Sequence, residues 1–332
     1  MRRVARLVGF LAVCLFYLVS VAAAHLVLLG FSRPARMRLM AGSVRLWARA
    51  CLRILGLNIN LHRGRHTGLP LHGDLHSNRR LLVSNHQSYL DVVIIASVFP
   101  TLFVAKTEVG RWLLFGWLSK LGGTIFVDRE DPRSGVRCAY RVSRALRDGV
   151  NVQVFPEATT GDGSTVLPFN GLFFASAVRS HTPVLPLTIK FQSVNGRPAD
   201  REALDTVCWY GEMNFARHFW NLLNIESAEV SLMINEPINP ARAQRAKVLA
   251  QAARDRIFRS FANADAISAA RAEVPVEFAR AEACPQPEEW TGNEPATAED
   301  YIVSAMLFSF FAPSSSGPGE PIREATPQGE NE

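Results

Sequence analysis

Arg80-Leu81-Leu82-Val83-Ser84-Asn85-His86-Gln87-Ser88-Tyr89-Leu90-Asp91 carries three signals in succession. A short apolar run, of the kind a buried strand uses, delivers an Asn-His pair, and an acid follows five positions after the histidine. On an unbroken helix, five residues separate two side chains by roughly 140°, so His86 and Asp91 share no helix face. They meet only if His86 lies in a strand-to-helix turn and Asp91 in the first helical turn. Ser88 then stands at the N-cap and Asp91 at N3, the [ST]-x-x-[DE] arrangement of a capping box. Two readings stay open at this point. One is a capped helix start with no chemistry; the other is an imidazole base with a carboxylate that orients it.

Working outward, the same grammar recurs. Residues 103–106 read as a strand ending in Lys106, 122–129 as a turn and strand ending in Arg129, and 151–157 as a strand that Pro156 interrupts just before Glu157. Residues 184–189 and 228–234 read as further strands. Helical stretches fall at 92–99, 110–121, 131–149, 169–178 and 242–262, with 192–205 as a turn-rich connector. Strands alternating with helices predict an α/β fold with a largely parallel inner sheet. His86, Lys106, Arg129 and Glu157 thus all sit at strand ends, where open α/β sheets bind ligands. A base with its orienter, two cations and an acid are the equipment for activating a hydroxyl on a molecule with an anionic head group.

Residues 7–31 are almost continuously apolar, long enough to cross a hydrocarbon core of about 30 Å. A membrane segment is the first reading; a cleaved signal peptide competes, since Arg2, Arg3 and Arg6 precede the run and Ala22-Ala23-Ala24 offers small residues. Residues 39–57 follow as a basic amphipathic helix in which Arg45, Arg49 and Arg53 recur at helical spacing beside Arg38, suited to a membrane surface. The formal charge is +6, and no acid precedes Asp74. A basic end beside an apolar run suits anionic lipid and argues against a nucleic-acid partner. Five cysteines without C-x-x-C spacing argue against zinc, a disulfide framework or a redox pair. His62, His66, His72 and His76 lack a partner at ligand spacing, so no metal is expected. From about residue 263 the chain gathers Pro, Glu, Gly and Ser and reads as a disordered acidic tail, apart from an apolar patch at 301–311.

Asn85-His86-x-Ser88-x-x-Asp91, Gly123-x-x-Phe126-x-x-Arg129, Phe155-Pro156-Glu157 and Val184-x-Pro186 resemble, in order, the four motif blocks of the glycerolipid acyltransferases, typified by the bacterial 1-acylglycerol-3-phosphate acyltransferases. The resemblance covers residues 39–187. With the apolar run before it and the loss of periodicity after it, the chain divides into an anchor at 1–38, an acyltransferase domain at 39–262 and a tail at 263–332. The resemblance also implies a bacterial inner-membrane location, with the domain on the cytoplasmic side. His86 would be the general base and Asp91 its partner; Arg129 and Glu157, with Lys106 and Thr159, would hold the acceptor, and Asn85, Ser88, Phe155 and Pro156 would support the motifs. The implied donor is acyl-CoA or acyl carrier protein, without a cofactor, and the implied acceptor a lysophospholipid, first of all 1-acylglycerol 3-phosphate. Two departures stand out. Ala158 replaces a usual glycine and suits a tight turn only if its φ is negative. The stretch 208–213 with His218-Phe219-Trp220, and Thr159-Thr160-x-Asp162-Gly163, is more similar to acyltransferases of other lyso-lipids, including lyso-ornithine lipids. The bland alternative for 208–213 is a strand and turn closing the sheet edge. A catalytically idle lipid-binding protein fits the N-terminal half but leaves the His86 and Asp91 pairing unexplained.

Overall fold

The computed structural model describes residues 1–27, 30–63, 79–241 and 245–264. Cys284, His66, His72, His76, the expected tail beyond 264 and its 301–311 patch lie outside them. In chain order the elements are α1 (Arg2–Val27), α2 (Arg33–Leu55), β1 (Leu57–Arg63), β2 (Leu81–Ser84), α3 (Leu90–Val98), β3 (Thr101–Lys106), α4 (Leu113–Leu121), β4 (Ile125–Val127), α5 (Pro132–Arg147), β5 (Asn151–Val154), α6 (Phe174–Ser180), β6 (Val184–Val194), β7 (Arg197–Pro198), α7 (Arg201–Val207), α8 (Phe215–Leu222), β8 (Ala228–Ile234) and α9 (Ala246–Ala262).

The strands form one sheet in the order β1-β8-β6-β2-β5-β3-β4, with β7 as a hairpin partner of β6. β6, β2, β5, β3 and β4 are mutually parallel, whereas β8 runs antiparallel to β6 and carries β1 alongside it. Helices cover both faces, which is why β2 and β5 are buried along their whole length and β2 begins as an apolar run without alternation. β2 lies centrally, between β5 and β6. Its carboxyl end therefore opens in the middle of the sheet edge, and Asn85 follows there directly.

α1 is long and apolar enough to cross a membrane, by length and composition. One of its faces nevertheless belongs to the core. Phe10, Cys14, Tyr17 and Val21 recur at steps of four, three and four, and are buried against α2, whose Val44, Ala48, Cys51 and Leu55 repeat that spacing. The opposite face exposes Val4, Val8, Leu11, Leu15 and Val19. Arg2 and Arg6 reach the carbonyls of Asn224, Ile225 and Glu226 just before β8. The Arg2 to Glu226 ion pair is largely solvent-exposed and contributes at most about 1 kcal/mol; the apolar stripe does the holding.

Several sequence expectations change in detail. α2 begins at Arg33, and its arginines do not form one outward face: the Nε groups of Arg45 and Arg49 both donate to the Ser97 carbonyl, at 3.4 and 3.0 Å. That carbonyl lies at the negative end of α3, which attracts cations. Burial, and then the neighbouring charge of Arg49, push the Arg45 guanidinium down to about 10. Residues 110–121 are not one helix, because Trp112 is extended (φ −66°, ψ 137°) between a 3₁₀ turn and α4. The helix expected at 169–178 starts only at Phe174, since the Asn170 N–H is drawn to the Pro156 carbonyl. The connector 192–205 contains β7 and α7, the latter capped by Asp200, which accepts from the Ala203 N–H. Residues 208–213 form no strand and close no sheet edge; they link α7 to α8. His62 lies in β1, buried, with Nε2 3.2 Å from Ser231 Oγ.

Phe10 sits between Phe115 of α4 and Phe219 of α8, with centroids 6.2 and 5.1 Å away. Phe10→Ala is expected to destabilise the detergent-solubilised protein by about 3–5 kcal/mol, whereas Val8→Ala, on the exposed face, changes denaturation by less than about 0.5 kcal/mol.

Candidate active site

β2 ends at Ser84, and the chain then leaves the sheet without losing contact with it. The Asn85 side chain receives the Ile189 N–H at 2.9 Å and donates to the Ile189 carbonyl at 2.8 Å. A side-chain amide thereby continues the ladder to β6 for one more rung. Gln87 Nε2 donates to the same carbonyl at 2.6 Å. Both neighbours of His86 are pinned to β6, leaving the histidine at the crest of the turn.

His86 Nδ1 lies 2.8 Å from Asp91 Oδ2, and that oxygen also accepts the Gln87 N–H at 2.6 Å and the Ser88 N–H at 2.9 Å. The Asp91 side chain is fully buried, while that of His86 keeps 18% exposure. The carboxylate accepts, so Nδ1 carries the proton and Nε2 is left as the basic nitrogen. Only the acidic half of the expected capping box forms. Asp91 binds the Ser88 N–H, but helix α3 starts at Leu90, and Ser88 Oγ is buried without a hydrogen-bond partner. Cap and dyad are therefore not alternatives, because a single oxygen serves both.

A second segment, running from Phe155 to Asn170, closes on His86 from the other side. The imidazole stacks on Phe155, with centroids 3.8 Å apart and planes at 16°. The His86 N–H donates to Glu157 Oε2 at 3.1 Å, and the His86 carbonyl accepts the Gly161 N–H at 2.8 Å. Glu157 Oε1 accepts the Leu167 N–H at 3.0 Å, so both carboxyl oxygens of this buried side chain brace backbone. Burial pushes the Glu157 carboxyl up to about 8 against the lowering effect of those two N–H groups, and the Asp91 charge adds to the rise. Pro156 is buried, and Arg254 of α9 fastens the far limb by donating to the carbonyls of Val166 and Leu167.

Ala158 has φ +61°, not the negative value expected of a non-glycine there. Two bonds hold it in the left-handed region: its N–H donates to the Phe155 carbonyl at 3.1 Å, and its carbonyl is taken by Arg129 Nη2. Arg129 thus spends part of its guanidinium on the loop. Burial lowers its affinity for the proton, as it does for Lys106, which is depressed further by the Arg129 charge and partly restored by Glu108. Lys106 and Thr159 are exposed. The structure brings His86, Asp91, Asn85, Ser88, Phe155, Pro156 and Glu157 into direct contact. Arg129 joins them through Ala158, Lys106 lies within electrostatic reach of Arg129, and Thr159 follows Ala158 in the chain. Sequence reasoning missed Gln87, Gly161 and Arg254. Their contributions are backbone or long-range bonds, for which spacing carries no signal.

Two expectations follow. Ala158→Gly removes the cost of a left-handed alanine, about 1 kcal/mol, and raises the melting temperature by several degrees with turnover retained. Glu157 binds its proton more tightly folded than unfolded, so its contribution to stability is complete below about pH 4.5 and is lost as pH rises through about 8. The melting temperature of the wild type minus that of Glu157→Gln should therefore decline across that interval.

The residues also match known proteins. The family model described as Acyltransferase matches residues 69–190. The lyso-ornithine lipid O-acyltransferase of Rhizobium meliloti (strain 1021) is 32% identical over 219 residues, covering 64% of this chain and 72% of that protein. The 1-acyl-sn-glycerol-3-phosphate acyltransferase of Neisseria gonorrhoeae is 28% identical over 157 residues, covering 47% and 59%. Among solved structures, the 1-acyl-sn-glycerophosphate acyltransferase of Thermotoga maritima shares the fold with a TM-score of 0.53 at 20% identity, covering 80% of this chain and 98% of that one. With a His-Asp pair at the carboxyl end of the central strand and these relatives, the chain belongs to the acyltransferase family.

Proposed function

We propose that this acyltransferase is a membrane-associated lysolipid O-acyltransferase whose acceptor is a lyso-ornithine lipid. The observation that carries the chemistry is the 2.8 Å bond from His86 Nδ1 to Asp91, which leaves Nε2 as the basic nitrogen of a partly exposed ring. In the proposed reaction Nε2 takes the proton of the acceptor hydroxyl as its oxygen attacks the carbonyl carbon of an acyl thioester. The tetrahedral intermediate collapses by breaking the C–S bond, and the imidazolium returns the proton to the departing thiolate of CoA or carrier protein. An ester and a thiol result, so electrons and protons balance without a cofactor. Asp91 keeps the tautomer and stabilises the imidazolium in between.

The acceptor reading rests on the relatives. The lyso-ornithine protein of Rhizobium meliloti matches 64% of this chain, beyond the four motif blocks, whereas the glycerol-phosphate protein of Neisseria gonorrhoeae matches 47%. Phosphatidate formation from 1-acylglycerol 3-phosphate is the second reading, favoured by the cations Lys106 and Arg129 beside the site. In both, the exposed apolar face of α1 supports a place at the membrane, where the lipid acceptor resides and a soluble donor arrives.

The test is a panel of lyso-lipids supplied to the purified protein with one acyl-CoA and one acyl carrier protein thioester, with products identified by mass. Acylated lyso-ornithine lipid as the main product supports the reading, and a preference for 1-acylglycerol 3-phosphate replaces it with the second. His86→Ala should lower turnover roughly 10³-fold, and Asp91→Asn, which presents the wrong partner to Nδ1, by a comparable factor. Wild-type rates in His86→Ala would end the mechanism.

A further inference from the structure

The segment 201–222, made of α7, a connecting turn and α8, lies beyond the residues matched by the family model. It touches both halves of the site. On the dyad side, the Trp209 N–H donates to the Gln87 carbonyl at 2.9 Å, and Tyr89 Oη lies 3.0 Å from His218 Nδ1. On the loop side, Arg201 Nη1 reaches Asp162 Oδ2 at 2.5 Å, one residue from the Gly161 N–H that holds the His86 carbonyl. Cys208 Sγ stands where a side chain at Gly163 would have to go, a position with φ +81°.

His218 is 7% exposed. With Nδ1 at Tyr89 Oη, the ring nitrogen left for the neighbouring backbone carbonyls of Cys208 and Asp205 is Nε2, which is buried and makes no hydrogen bond. Carbonyls facing Nε2 call for a proton there, so Nδ1 accepts and the Tyr89 hydroxyl donates. Burial holds the ring below the usual histidine range, which favours the neutral form. Tyr89 immediately precedes α3, between the Ser88 peptide and Asp91. Its ring packs edge-on against Phe215, His218 and Phe219 and tilts against Trp209. On the other arm, an exposed ion pair alone is weak. Asp162, however, also accepts the Ser164 N–H and Oγ, and Arg201 also engages Tyr210 and Asp205. These bonds, those from Ser164 first, hold the Asp162 carboxyl down to about 2.

We infer that segment 201–222 is a brace that sets the position of the dyad turn relative to the loop: His218 positions the turn through Tyr89, and Arg201 positions the loop through Asp162. Neither touches the reacting atoms; both are positioning residues. The inference rests on the dyad reading above.

The experiment uses full-length protein in phospholipid vesicles with palmitoyl-CoA and lyso-ornithine lipid, measuring kcat, KM for each substrate and melting temperature. Tyr89→Phe and His218→Leu are expected to lower kcat about tenfold with KM for palmitoyl-CoA unchanged, and His218→Asn, whose Oδ1 replaces the Nδ1 acceptor, to restore most of it. Arg201→Met is expected to raise KM for the acceptor about fivefold at similar kcat, with Arg201→Lys intermediate. Wild-type kinetics in Tyr89→Phe and Arg201→Met overturn the brace, as does a loss in His218→Asn equal to that in His218→Leu, which would make packing the cause. If His218→Leu does not accumulate, Tyr89→Phe decides alone, since it removes one oxygen atom. His86→Ala is the control: inactive His86→Ala beside wild-type Tyr89→Phe and Arg201→Met refutes the brace only, whereas active His86→Ala refutes the dyad itself.

Discussion

One carboxylate oxygen carries the geometry of this site. Asp91 Oδ2 accepts from His86 Nδ1, the Gln87 N–H and the Ser88 N–H at once, with its side chain shut off from solvent. A buried charge is tolerable only when such donors surround it. Three donors converge on one oxygen only if the backbone from 86 to 88 curls around it. The turn, the imidazole orientation and the start of α3 are therefore a single requirement. Losing any one of the donors loosens the other two.

The fold supplies what that turn cannot supply for itself. β2 ends at the centre of the sheet, and the amides of Asn85 and Gln87 hold the departing chain to β6 through Ile189. From the opposite side, the loop after β5 takes the His86 N–H with Glu157, its carbonyl with Gly161 and its ring face with Phe155. Of the histidine, these contacts leave only the ring edge bearing Nε2 without a partner. The cost appears in the loop, as a left-handed alanine at 158 and a buried carboxyl at 157 that holds its proton up to about pH 8. Strain and desolvation of this kind accumulate where a backbone is shaped for a task rather than for stability.

α1 connects its exposed apolar face to this arrangement by packing. Phe10 meets Phe115 and Phe219, and Phe219 and Phe215 in turn meet Tyr89, which directly precedes α3 and its Asp91. An unbroken aromatic contact thus runs from the apolar N-terminal helix to the turn that bears the dyad. The helix is part of the catalytic domain's core on one face and apolar toward its surroundings on the other.

Much of this was legible in the sequence, because its signals are local. An apolar run followed by Asn-His and an acid five residues on fixed the strand-to-turn-to-helix reading, and repetition of strand ends at Lys106, Arg129 and Glu157 fixed the α/β class. Those patterns depend on chain geometry over a few residues. Only the tertiary structure decided what each end residue does. Glu157, placed on the acceptor by resemblance, gives both carboxyl oxygens to the backbone of His86 and Leu167, and Arg129, placed there likewise, gives one guanidinium nitrogen to the Ala158 carbonyl. Arg45 and Arg49 turn inward to a helix end, and Ala158 accepts a positive φ. Each of these is settled by a partner from 10 to 71 residues away or by the bonds that hold one peptide, and sequence spacing along one element holds no record of such partners.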